Sequence, residues 1–227
     1  QVSVFANNTG VPPPKFIDDK IYRQFKYSDE NIESAVIQKA ARVISGLNAS
    51  LLLLSKGYFQ ELGAIYRMID EFNEDITFLC LPLLGKERTK LHDDYLQFFY
   101  QEEFDVPGDP LKSSQKRPMI PRKKIMAAIS NLDENPVNPS DSQNIFRTLS
   151  QAYSGYVHGA SGHIMEMYSY PPGEYNLRGM GSEERFNTFI NDMLTYTYRS
   201  LLSIMFIAMA FKQEKMINDL FAYRKYF

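Results

Sequence analysis

The sequence predicts an all-α fold: a single domain built as a bundle of five to seven helices behind an extended N-terminal lead-in. Three observations predict it. Apolar residues recur at helical spacing through most of the chain, no stretch alternates apolar and polar residues between turn signals, and no repeat of fixed period appears. The chain has 227 residues, 44% hydrophobic and 14% aromatic, which is ample material for one core. The lead-in is expected over residues 1–27 and the helical domain over residues 28–227.

Each element has its own signals. Val11-Pro12-Pro13-Pro14 favours polyproline geometry and keeps the lead-in out of helix. Ser28 is the expected N-cap of the first helix, with Asp29 and Glu30 at its positive end. Ile32, Ala35, Val36, Val43, Leu47, Leu51 and Leu54 form its stripe. The run Leu51 to Leu54, apolar on every side, is expected to be deeply buried, and Gly57 to end or bend the helix. A second helix, from about Tyr58 to Leu84, carries Leu62, Ile65, Tyr66, Ile69, Phe72, Ile76 and Leu79 on one face and Arg67, Asp70, Glu71, Glu74 and Asp75 on the other.

A shorter helix follows over 87–103. Prolines and Gly108 break 104–121, and another short helix covers 122–133. Ser140 and Gln143 make a capping-box pattern for a helix running towards Tyr168, with Gly159 and Gly162 as weak points. Ser182 is the expected cap of the final long helix, with Phe186, Phe189, Ile190, Met193, Leu194, Leu201, Ile204, Met205 and Ala208 on its core face. A last turn or short helix closes the chain.

Composition narrows the function classes. Lys and Arg number 25 against 27 Asp and Glu, so any nucleic-acid surface must be local. The local candidate is Lys112, Lys116, Arg117, Arg122, Lys123 and Lys124, six cations with no acid among them, which either contact RNA phosphates or form a solvated loop. Cys80 is the only cysteine, which fits a reducing compartment and excludes an intrachain disulfide and a thiolate zinc site. The first residues lack the features of a signal peptide. The most apolar run, Leu201 to Phe211, is about half the length of a membrane span. A cytoplasmic protein without membrane contact is expected. Metal binding is not expected, because His163-x-x-Glu166 reverses the carboxylate–histidine motif of two-metal bundles and no histidine precedes His92-Asp93. No glycine-rich phosphate loop follows a strand, so no cofactor is expected.

The remaining candidates are Arg147, His158, Arg67 and Glu71. On a continuous helix Arg147, Ser154, His158 and Ser161 share a polar face, while His163 turns onto the apolar one. That makes His158 an accessible acid or base and Arg147 a phosphate ligand, although about 16 Å of helix rise separates them. Arg67 and Glu71 are spaced to pair on one helix. Their surroundings are either a solvated charged face or a buried network that meets His158 or a ligand from a neighbouring helix.

Arg67-x-x-x-Glu71, together with Tyr153-Ser154-Gly155-Tyr156-Val157-His158, resembles paired motifs of a bacterial all-helical family, over roughly residues 30–210. A more distant resemblance is to HEPN-type domains, helical bundles of toxin–antitoxin and antiviral systems, many of them ribonucleases. Their motif places four to six residues between Arg and His. Here Arg88 to His92 encloses three and Arg147 to His158 ten. The shortage of catalytic constellations, beside 15 Tyr, 16 Phe and 10 Met of the kind favoured at interfaces, points to a helical interaction module of a bacterial regulatory or defence system, homodimeric or bound to a protein partner. Its alternative is a HEPN-like RNA-directed hydrolase using His158 with an arginine.

Overall fold

Helices form wherever the apolar stripes predict them. The computed structural model describes residues 9–18, 23–106, 109–115, 119–131, 138–181 and 183–223. Eight α-helices lie in these residues: α1 (Ile32–Ser55), α2 (Phe59–Leu83), α3 (Lys90–Tyr100), α4 (Arg122–Ser130), α5 (Pro139–His158), α6 (Ser161–Met165), α7 (Glu183–Ala210) and α8 (Glu214–Tyr223). Helix α2 is the axis of the bundle and packs against α1, α7, α5 and α4. Its stripe supplies most of the large, fully buried side chains: Phe59, Leu62, Tyr66, Ile69, Ile76, Phe78 and Leu79. Phe59 stacks on Phe189 of α7 with ring centroids 4.7 Å apart, and Tyr66 stacks on Tyr196 at 4.6 Å. The Tyr66 hydroxyl donates to the Phe189 carbonyl at 3.0 Å, so this large buried ring keeps its polar tip satisfied.

Several local expectations are corrected. The extended lead-in carries a hairpin that the sequence does not show. Strands β1 (Lys15–Asp18) and β2 (Arg23–Lys26) form an antiparallel hairpin with Phe16 opposite Phe25, and four-residue strands exposed on both faces leave little alternation to read. The cap of α1 is Asn31, not Ser28, because the Asn31 side chain accepts the Ser34 N–H at 2.8 Å. The Leu51–Leu54 run is not deeply buried: Leu51 and Leu52 are 54% and 71% exposed, Leu53 packs half-buried against the core and Leu54 is buried in it, since the last turns of α1 meet the bundle on one side.

The helix expected from Ser140 to Tyr168 is capped by Asn138, with Pro139 at its first position, and is cut in two. Gly159 adopts a left-handed conformation, φ 63°, which ends α5 and lets the chain restart as α6. A second small hairpin, β3 (Tyr168–Ser169) with β4 (Glu174–Tyr175), follows. Ser182, the expected cap of α7, lies outside the described residues.

One close approach fixes the start of α7. Gly57 and Gly179 both hold positive φ, 71° and 104°, and their backbones cross. A Cβ on Gly57 would lie 2.3 Å from the Met180 carbonyl oxygen, and one on Gly179 would lie 2.1 Å from that of Lys56. The Met180 N–H donates to the Gly57 carbonyl at 2.8 Å across this crossing.

A buried charge cluster and an uncharged helix face

The second face of α2 is not solvated. Asp70, Glu74 and Asp75 are 1%, 3% and 3% exposed. Buried carboxylates persist only when paired, and each is paired across a helix–helix contact. Asp70 meets Arg199 of α7. Glu74 and Asp75 share Arg122 of α4. Asp75 also takes Lys39 of α1 at 2.8 Å and the Tyr95 hydroxyl of α3. Arg67 and Glu71 pair at 2.7 Å on the rim of the cluster. Arg122 donates to the Glu71 carbonyl at 3.1 Å, and Asn73 donates to the Ser200 hydroxyl at 3.1 Å. Four acids and four cations thus hold α1, α2, α4 and α7 together at one level of the bundle.

Desolvation dominates the electrostatics. Burial pushes the Glu74 carboxyl up to about 7, against the pull of Arg122, and the neighbouring Asp70 charge adds to the rise. Burial raises Asp70 as well, against Arg199 and Arg67. Among the described residues, Asp70 Oδ2, Asn73 Oδ1 and Glu74 Oε1 find no hydrogen-bond donor, and Arg67 Nη1, Arg122 Nε and Arg199 Nη1 find no acceptor. Among the described residues no group of His, Cys, Asp and Glu is arranged to hold a metal ion. The chemistry open to this cluster is ion pairing and proton exchange.

Of the four sequence candidates, Arg67 and Glu71 belong to the cluster; Arg147 and His158 do not. Both of the latter are exposed on α5, and no described hydrogen bond or ion pair joins His158 to an arginine. Because Gly159 ends α5 directly after His158, Ser161 begins a new helix and the expected four-residue polar face does not form. His163 packs its ring edge-on against Tyr156 at 4.4 Å and over Gly155, where a Cβ would lie 2.2 Å from the ring. His92 is structural. It caps α3 by accepting the Thr89 N–H at 3.1 Å, stacks on Phe78 at 4.0 Å, and burial pushes its pKa down. The basic segment divides. Arg122 turns into the cluster, Lys112 pairs with Asp109 at 2.7 Å, Lys123 and Lys124 are exposed, and Lys116 and Arg117 lie outside the described residues. Sequence reasoning missed Lys39 and Arg199 as members. Arg199 carried a signal, since it is the only cation between Arg185 and Lys212.

Helix α7 has the opposite character. From Phe186 to Phe211 its only charged residues are Asp192 and Arg199. Both are engaged inward, Asp192 by the Tyr153 hydroxyl and Arg199 by Asp70. Phe189, Met193, Tyr196, Ser200, Ser203 and Ile207 form the buried face. Leu194, Leu201, Leu202, Met205 and Met209 fall within an arc of about 100° on the other side. Leu194 and Met209 are 51% and 45% exposed, and the three between them are half-buried. Leu194, Leu201 and Met205 were expected on the core face, and Phe186, also expected there, is 39% exposed. A helix apolar on two sides gives periodicity no basis for choosing between them. Over Arg185–Ala210 this helix is long and apolar enough to cross a membrane by length and composition, and 33% of its most apolar stretch is buried.

Comparison with protein-family models, curated proteins and solved structures found no match.

Proposed function

We propose that this chain is a non-catalytic helical interaction module that pairs with a second copy of itself through the outer face of α7. The observation that carries the reading is the uncharged stripe Leu194, Leu201, Leu202, Met205 and Met209 on a helix whose two charges both serve the interior. Two copies of this stripe, related by a two-fold axis, set apolar against apolar and bury no charge. A lipid surface is the weaker match, because an interfacial helix carries cations along a solvent-facing polar side, and the side of α7 opposite the stripe is buried in the bundle with Arg199 held by Asp70. From Leu194 to Met209 the stripe runs about 23 Å. That contact is smaller than the ~800 Å² per partner of a standard interface, so pairing is concentration-dependent.

Sedimentation equilibrium across low micromolar to about 100 µM protein tests this. Dimer formation over that range, abolished by Leu202→Glu, is the expected result. A wild-type protein that stays monomeric throughout defeats the reading.

A further inference from the structure

The cations of the α2 cluster are unevenly shared. Asp75 receives two, Lys39 and Arg122, and the Tyr95 hydroxyl besides. Asp70 has Arg199. Among the described residues Glu74 has only its share of Arg122, bound through Oε2, while Oε1 is buried without a partner. The groups facing it from the rest of α2 are Asp70, one turn before it, Glu71 and Arg67, and Arg67 is already committed to Glu71. From α7 come Arg199, spent on Asp70, and the neutral phenol of Tyr196, whose pKa burial raises. Glu74 is therefore the member whose charge is least compensated in a dry site.

We propose that Glu74 is a proton-binding site whose occupancy sets how firmly α4 is held on α2. With the proton bound, Arg122 serves Asp75 alone, no buried charge is left short of a partner, and the carboxyl can donate to a neighbouring acceptor. With the proton lost, the second carboxylate competes for the same guanidinium. Swinging α4 away then lets water reach Glu74, so the open arrangement binds the proton less tightly than the closed one. By linkage, rising pH favours opening. The swing would uncover Ile125 and Ile129, which α4 buries in the core. Burial and the Asp70 charge, which push the Glu74 carboxyl up to about 7, put the upper end of that transition at neutrality.

Carbon-detected NMR of the wild-type protein labelled at glutamate side chains follows the Glu74 carboxyl directly, assigned by its absence in Glu74→Gln. A midpoint near neutrality is expected, and a midpoint below about 5, in the ordinary range, overturns the proposal. Hydrogen exchange of the α4 amides, corrected for intrinsic chemistry, gives the consequence. Protection in wild type is expected to fall about tenfold for each pH unit between the ordinary carboxylate range and the midpoint, to level off above it, and to stay flat throughout in Glu74→Gln. A pH-independent α4 in the wild type overturns it too. Both readouts are taken at a concentration where the protein is monomeric, so neither depends on pairing through α7.

Discussion

Helices α2 and α7 lie side by side and distribute polarity in opposite ways. Helix α2 turns three carboxylates into the bundle, whereas α7 turns leucines and methionines out of it. The two arrangements are joined at one contact, Arg199 of α7 with Asp70 of α2. What the contrast teaches is that burial follows partnership rather than residue type. A charge goes inside where three neighbouring helices each bring a cation, and an apolar side chain stays partly outside where the described neighbours leave it uncovered.

The comparison breaks most visibly at Arg122. Arg122→Ala leaves Glu74 without its guanidinium and Asp75 with Lys39 as its cation, and chemical denaturation is expected to show a loss of about 3–5 kcal/mol. Next comes pH. The Glu74 carboxyl lies at about 7 when folded and 4.5 when unfolded, so the proton stabilises the fold. That contribution is fully present below pH 4.5 and is lost as pH rises through about 7. Stability measured across this window is expected to fall with rising pH by about 3 kcal/mol at most, and Glu74→Gln to flatten the slope. A wild-type profile that rises instead would mean Arg122 outweighs desolvation.

The smaller effects sharpen the contrast from the other side. His163→Ala removes a ring packed between Gly155 and Tyr156 and is expected to cost about 1–2 kcal/mol of stability, while exposed His158→Ala shifts it by less than about 0.5 kcal/mol. Leu202→Glu places a charge on the outer face of α7 and is expected to move monomer stability by no more than about 0.5 kcal/mol while abolishing assembly in sedimentation. Equal damage from Leu202→Glu and Arg122→Ala would erase the distinction between the two helices.

Much of the bundle was legible in the sequence because its stripes are local. Leu62, Tyr66, Ile69, Ile76 and Leu79 repeat at helical spacing and all are fully buried. The cluster was legible only by half. Arg67, Asp70, Glu71, Glu74 and Asp75 stand together in the chain, but Lys39, Arg122 and Arg199, whose cations bury three of them, come from positions 36 before to 129 after a partner. Spacing along one helix cannot reveal which distant cation will arrive. The polar face drawn through Arg147, His158 and Ser161 failed for a local reason, the left-handed turn at Gly159. At α7 both sides carry apolar residues, so the sequence names the helix without naming its inner face.

The crossing of Gly57 and Gly179 bears on how this protein tolerates change. Each glycine excludes a side chain on account of the other's strand of backbone, so the two loops form one unit for substitution although 122 positions separate them in the chain. Replacing either with alanine pushes a methyl group into a carbonyl oxygen, and no rearrangement of the other loop's side chains relieves it, because the obstacle is main chain. The start of α7 is thereby pinned to the end of α1. In a saturation scan these two sites should read as strictly glycine, while Gly181, two residues further on with open space around its Cβ position, should accept alanine.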